Sequence, residues 1–232
     1  MPTIVFGCGK GGVGKSTSAI LLATELAKLR ADVTVVDADP NKPISAWSGR
    51  GGLPPSLTVK AEASEDSIID TIETSALEST FVIVDLEGTA SMMVGYAMSR
   101  ADLVIIPMQG SYLDAAEANK AVALVRRQER AFSRKIPFAI LFTRTSATIR
   151  PRTLQSIANE LVQKNLPVFE TQIHERDAYK AIFAFGGTLD ELDASQVPNI
   201  PAAIANARAF AAEVLSLLKQ NTQVEQPAAV AS

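Results

Sequence analysis

The chain has 232 residues, 47% of them hydrophobic and 20% charged, with a formal net charge of −3. That balance excludes a disordered polyelectrolyte and suits one globular domain with a sizeable core. Apolar runs such as Leu103–Pro107 fall far short of the roughly 20 residues a membrane helix needs. The single cysteine, Cys8, excludes an intramolecular disulfide or a cysteine-built metal site within one chain.

In chain order, Thr3–Cys8 is a short apolar run that reads as a buried strand, with Cys8 a small core residue. A glycine-rich segment follows and opens a helical pattern over Lys15–Leu29. Val33–Asp37 reads as a second strand and Leu57–Ala61 as a candidate edge strand. A helix is expected over Asp66–Leu77, strands over Phe81–Asp85 and Leu103–Pro107, and a long helix over Tyr112–Phe132. Strand Pro137–Phe142, helix Arg150–Lys164 and a final helix Pro201–Lys219 complete the series. The strands are continuous apolar runs rather than alternating ones, as in a parallel sheet covered on both faces. Strand–helix alternation predicts an α/β fold, a doubly wound, mostly parallel sheet with helices on both faces. One domain over residues 1–219 and a polar, disordered tail over 220–232 are expected. No charged leader precedes an apolar stretch at the N-terminus, which points to the cytoplasm.

Charge is unevenly distributed. Residues 1–119 hold 8 Lys and Arg against 15 Asp and Glu, whereas residues 120–180 hold 12 against 5. A basic segment in an acidic chain suits either a polyanion-binding surface or solvated helix faces.

Gly9-Lys10-Gly11-Gly12-Val13-Gly14-Lys15-Ser16 satisfies G-x-x-x-x-G-K-[ST] between a predicted strand and a predicted helix. Glycines let successive N–H groups turn toward phosphate oxygens, and the helix N-terminus adds its positive end. Lys15 is placed to reach the β- and γ-phosphates and Ser16 to ligate Mg²⁺. Asp37 and Asp39 stand at the end of the second strand, where doubly wound sheets bind ligands; each alone also suits a turn. Asp85 ends the apolar run Phe81-Val82-Ile83-Val84 and would hold a Mg²⁺-bound water. Gly88 is a candidate hinge, Asp102 a structural residue at a strand start, and His174 a surface residue.

The second loop lysine, Lys10, the Asp37-Ala38-Asp39-Pro40 segment, Asp85 and Ala101-Asp102-Leu103-Val104-Ile105-Ile106-Pro107 together resemble the deviant-Walker ATPases of the ParA/MinD family. Trp47 and Phe185-Gly186-Gly187 are similar to the small, ParF-like plasmid partition group, which has a branch acting on transferred DNA in conjugation. The resemblance covers about residues 3–190 and implies ATP and Mg²⁺ as cofactors. It implies that Lys10, Lys15 and Asp39 are catalytic, Lys10 reaching the partner's phosphates in an ATP-bound homodimer and Asp39 positioning the attacking water. Gly9 to Thr17 would bind the nucleotide, Thr143 and Arg144 would lie near its base, and Ser16, Asp37 and Asp85 would surround the metal. Leu86-Glu87-Gly88-Thr89 departs from the proline-rich pattern of many ParA proteins. Non-specific DNA, a DNA-bound adaptor of the ParB or ParG kind and a nucleoid location are implied as well. Arg150, Arg152, Lys164, Arg176 and Lys180 match the region where relatives carry DNA-contacting residues. The tail has no basic residue and no large apolar face, unlike the membrane helix of MinD. The alternatives are a protein cargo, a role in conjugative DNA transfer, or a metabolic ligase on the same fold.

Overall fold

The structure is a computed structural model that describes residues 1–7, 9–61, 64–88, 91–149 and 151–225. Strands β1 (Thr3–Phe6), β2 (Val33–Ala38), β3 (Leu57–Lys60), β4 (Phe81–Leu86), β5 (Leu103–Met108), β6 (Phe138–Thr145) and β7 (Ile173–His174) form one sheet. Among the described residues it is seven-stranded, in the order β3-β2-β4-β1-β5-β6-β7, and every pairing is parallel. The expected α/β fold is present, and Leu57–Lys60 is its edge strand.

The continuous apolar runs have a simple cause. Successive residues of a strand face opposite sides of the sheet, and here both sides are covered. Ile4 and Phe6 pack into one core layer and Val5 into the other; Ile83 opposes Val82 and Val84 in the same way. The first layer holds α1 (Lys15–Lys28), α2 (Pro43–Ser48), α7 (Asp177–Phe185) and α8 (Ile200–Glu225). The second holds α3 (Ile68–Glu78), α4 (Met92–Ser99), α5 (Tyr112–Phe132) and α6 (Arg152–Gln163).

Three differences from expectation are instructive. Helix α8 runs through residues 220–225, where a disordered tail is expected from composition. Its last turns are polar, yet they lack a breaker before Pro227, and Thr222 Oγ1 donates to the Leu218 carbonyl at 3.0 Å. Residues 226–232 and Cys8 lie outside the described residues. Helices α2 and α4 are short and follow strand ends, where no 3.6-residue period has room to show; Ser91 nevertheless caps α4 by accepting from Val94 N–H. A helix over Glu175–Phe183 would put Arg176 and Lys180 on one face; the helix present, α7, begins at Asp177 and runs to Phe185, which leaves Arg176 as its N-cap.

Trp47 and Gly186-Gly187 belong to one structural device. The Trp47 side chain is buried in the first layer and its indole N–H donates to the Gly187 carbonyl at 3.0 Å. A Cβ on Gly52 would come within 2.7 Å of Gly187 Cα, so two glycine loops touch backbone to backbone. The contact ties α2, just after the Asp37–Asp39 turn, to the end of α7. Trp47→Phe keeps most of the apolar burial but strands a buried carbonyl. It should lower stability by about 1–3 kcal/mol, read as a shift in the urea midpoint at unchanged m-value.

Candidate nucleotide site

The phosphate-loop segment leaves β1 at the middle of the sheet, with β4 and β5 on either side. The chain therefore leaves the sheet where strand order reverses, the place where open α/β sheets take ligands. Gly12 and Gly14 have φ of 74° and 91°, left-handed values that glycine adopts without steric cost. The loop's carbonyls are drawn outward by named partners. Lys15 Nζ donates to the Lys10 carbonyl at 3.2 Å, Gln109 Nε2 to Gly12 at 3.2 Å, and Thr143 Oγ1 to Val13 at 2.6 Å. Ser18 N–H takes the Gly14 carbonyl at 2.9 Å. Among the described residues, no backbone N–H from Gly11 to Ser16 donates a hydrogen bond. The result is a concave set of free donors at the start of α1, the arrangement that binds a phosphate chain.

Opposite the loop lie the carboxylates. Asp37 and Asp85 are register partners on β2 and β4, and both are fully buried. Asp37 Oδ2 accepts from Ser45 N–H and from Ser45 Oγ, each at 2.7 Å. Among the described residues, Asp37 Oδ1 has no partner and neither Asp85 oxygen has a well-formed hydrogen bond. Burial pushes Asp85 up to about 7; the Ser16 hydroxyl and Lys15 oppose the shift, and Asp37 and Asp39 reinforce it. Three orphaned carboxylate oxygens beside Ser16 fit a hydrated Mg²⁺, which takes few carboxylates and keeps its waters. Asp39 is half-exposed, with Oδ1 accepting from Asn41 N–H and Nδ2 at 2.8 and 2.9 Å, a turn geometry.

Lys10 has a partner that the sequence reading missed. Its ammonium lies 2.6 Å from Asp114 Oδ1, on the first turn of α5, and Asp114 is only 3% exposed. Ser111 Oγ holds the other carboxylate oxygen. The available signal was Ser111, a helix-capping residue with an acid three positions later. Gly88, the candidate hinge, has a packing role as well: a Cβ there would lie 2.6 Å from Gly11 N, so its small size lets the segment after β4 touch the phosphate loop. Thr89 lies outside the described residues.

Thr143 and Arg144, the residues implied to lie near the base, line a cavity of about 330 Å³ with Gly14 and Thr17. Arg176, the N-cap of α7, and Lys180 line the same cavity, together with Tyr179 and Phe183. These two cations therefore neighbour the nucleotide site rather than a remote surface. Arg152 is exposed at the first position of α6. Lys164, just past its end, pairs with Glu160 at 2.6 Å. Arg150 lies outside the described residues. Asp102 is structural as expected, accepting from Thr3 N–H at 2.7 Å and pairing with Arg134 at 3.1 Å. His174 is half-buried, with Nδ1 2.9 Å from Thr145 Oγ1.

A phosphate loop with a second lysine, facing two buried carboxylates across parallel strand ends, defines a deviant-Walker P-loop nucleotide-binding protein of the ParA/MinD type. The VirC1 protein family model matches residues 1–224, and the chain belongs to that family. It is 41% identical over 220 residues to the protein ParA of Rhizobium radiobacter, covering 95% of this chain and 99% of that one. The protein virC1 of the same organism is 28% identical over 187 residues, 78% of this chain and 80% of that one. Among solved structures, an ATP complex of Cyanothece McdA superposes with a TM-score of 0.69 at 16% identity, covering 98% of both chains. The last likeness is one of fold.

The buried carboxylate gives a pH prediction for the nucleotide-free protein. Asp85 titrates near 7 when folded and near 3.9 when unfolded, so its burial lowers stability increasingly as pH rises between those values. Asp85→Asn should therefore raise the Tm at pH 8. The gain should shrink as pH falls below about 7 and vanish near pH 4, as followed by thermal melts across pH.

Proposed function

We propose that the protein is a ParA-type ATPase that binds ATP with Mg²⁺, dimerises in that state and then holds DNA without sequence preference. The observation that carries the nucleotide part is the nest of free N–H groups from Gly11 to Ser16, facing Lys15 and the orphaned Asp37 and Asp85 oxygens. Lys15 neutralises phosphate charge. Ser16, with Asp37 and Asp85 behind it, would hold the metal, which supplies charge neutralisation at the phosphates. Asp39, half-exposed beside the loop, orients the attacking water. Lys10 reaches the partner's phosphates after exchanging its contact with Asp114.

The family and the likeness to a ParA protein over nearly the whole chain support DNA segregation as the role. Hydrolysis would be stimulated by a DNA-bound adaptor, and the cycle would run in the cytoplasm on the nucleoid. Two further readings have support. The VirC1 family favours a DNA cargo in conjugative transfer, and 29% identity over 177 residues to a maintenance of carboxysome distribution protein favours a protein cargo.

Retention on random-sequence DNA with ADP, ATP and a non-hydrolysable analogue tests the DNA part: binding only with ATP or the analogue is expected. Lys15→Ala should weaken nucleotide binding roughly ten- to hundredfold, since a charged hydrogen bond contributes about 1.5–3 kcal/mol, as measured by calorimetry. Lys10→Ala should still bind nucleotide yet stay monomeric with ATP in light scattering. Normal dimerisation of that variant would remove Lys10 from the interface. Asp39→Ala should bind ATP and dimerise but turn over about 10² times more slowly or worse in a phosphate-release assay.

A further inference from the structure

The cations of the basic segment are not equivalent once their partners are known. Lys180 is engaged by Glu175 at 3.0 Å and by Asp177 at 3.8 Å, and Lys164 by Glu160. Arg176 and Lys180 line the cavity beside the phosphate loop. Arg134 is bound to Asp102 and to the Ser99 carbonyl. On the second half of α5 the pattern changes. Arg126, Arg127 and Arg130 are exposed, and among the described residues none has a carboxylate within ion-pair distance.

Arg126 and Arg130 are one helical turn apart on one face. After Phe132 the chain turns at Ser133, with φ 49°, and brings Arg134 and Lys135 back beside the helix end. The outcome is an open hollow of about 430 Å³ lined by Arg126, Glu129, Arg130, Ser133, Arg134 and Lys135. Its one carboxylate is occupied: Glu129 Oε1 accepts from Ile136 N–H at 3.1 Å and is only 3.8 Å from Lys135. Like charges one turn apart cost a helix a few tenths of a kcal/mol. Arg130 repays some of that at the helix C-terminus, but Arg126 and Arg127 precede the last turn, where the dipole has faded.

We infer that this end of α5 is the surface that holds the phosphate backbone of duplex DNA, an inference that rests on the proposed non-specific DNA binding and locates it. Three guanidinium groups suit phosphate oxygens, which they can contact in a two-pronged way. Of the exposed residues beside them, Ala123 and Ala131 are small and Phe132, 43% exposed, is the one large apolar side chain, so the face lacks the broad apolar side a membrane contact needs. Arg126 and Arg130 are 12 and 16 residues along the helix from Asp114, about 18 and 24 Å. The patch therefore stays clear of the Lys10 end of α5, and a dimer joined there presents two such patches to one duplex.

The test compares two charge-matched variants with the wild type: Arg126→Glu with Arg130→Glu, and Arg152→Glu with Lys164→Glu. Each binds fluorescent random-sequence duplex DNA with the non-hydrolysable analogue, over a salt series. The α5 variant should bind at least about tenfold more weakly, and its salt slope should fall by roughly 2, the loss of two phosphate contacts. Its basal ATPase and ATP-dependent dimerisation should be unchanged. Arg126→Gln with Arg130→Gln, which adds no repulsion, should show the same loss of slope if the glutamates disturb folding. Unchanged affinity and slope in both α5 variants would overturn the inference while leaving the DNA-binding reading intact, the more so if the Arg152 and Lys164 variant is the one that fails. A wild type that binds no DNA in any nucleotide state overturns both. Binding to phosphatidylserine vesicles but not to DNA, lost in the α5 variants, makes the patch a membrane contact and overturns it as well.

Discussion

The structure depends on where the loop after β1 points its backbone N–H groups. A run of unsatisfied donors is costly to bury and is tolerable at the rim of a sheet only if water or an anion meets it. The fold achieves this by pulling the loop's carbonyls the other way. Gln109 from the end of β5, Thr143 from β6 and Lys15 from α1 each take one. Neighbouring strands thus hold open a site that the loop could not maintain alone. Gly88 adds contact from the β4 side, its lack of a side chain letting backbone meet backbone.

The carboxylates show the opposite economy. Asp37 and Asp85 are buried in the sheet with oxygens that lack well-formed hydrogen bonds among the described residues, and burial shifts Asp85 toward neutrality. A strongly perturbed titratable group in a cleft is a mark of chemistry rather than of packing. Here Asp85 faces the one lysine and the one serine that the phosphate-loop motif requires. Under the proposed function, loop and carboxylates would compensate each other with a magnesium nucleotide between them.

Lys10 and the basic segment extend this logic to longer range. Lys10 is restrained by Asp114, whose own position is fixed by Ser111 at the start of α5. The other end of α5 carries arginines with no such restraint. One rigid helix therefore runs from the lysine that would sense the partner's nucleotide to a surface suited to a polyanion, a direct physical link between the two halves of the proposed cycle.

Much was legible in the sequence because its signals are local. Buried parallel strands appear as apolar runs, a phosphate loop needs glycines at fixed spacing, and Asp37 and Asp85 each close an apolar run one residue short of their strand's end. The short helices α2 and α4 and the two-residue β7 were invisible, since none spans enough residues for a period to emerge. What tertiary structure alone decided was pairing. That Lys10 meets Asp114 across 104 positions, that Trp47 bonds Gly187 across 140, and that Arg176 and Lys180 turn toward the nucleotide cavity are facts of chain crossing. Residue type sets what a side chain can bond; only the folded path of the chain sets which partner comes within reach.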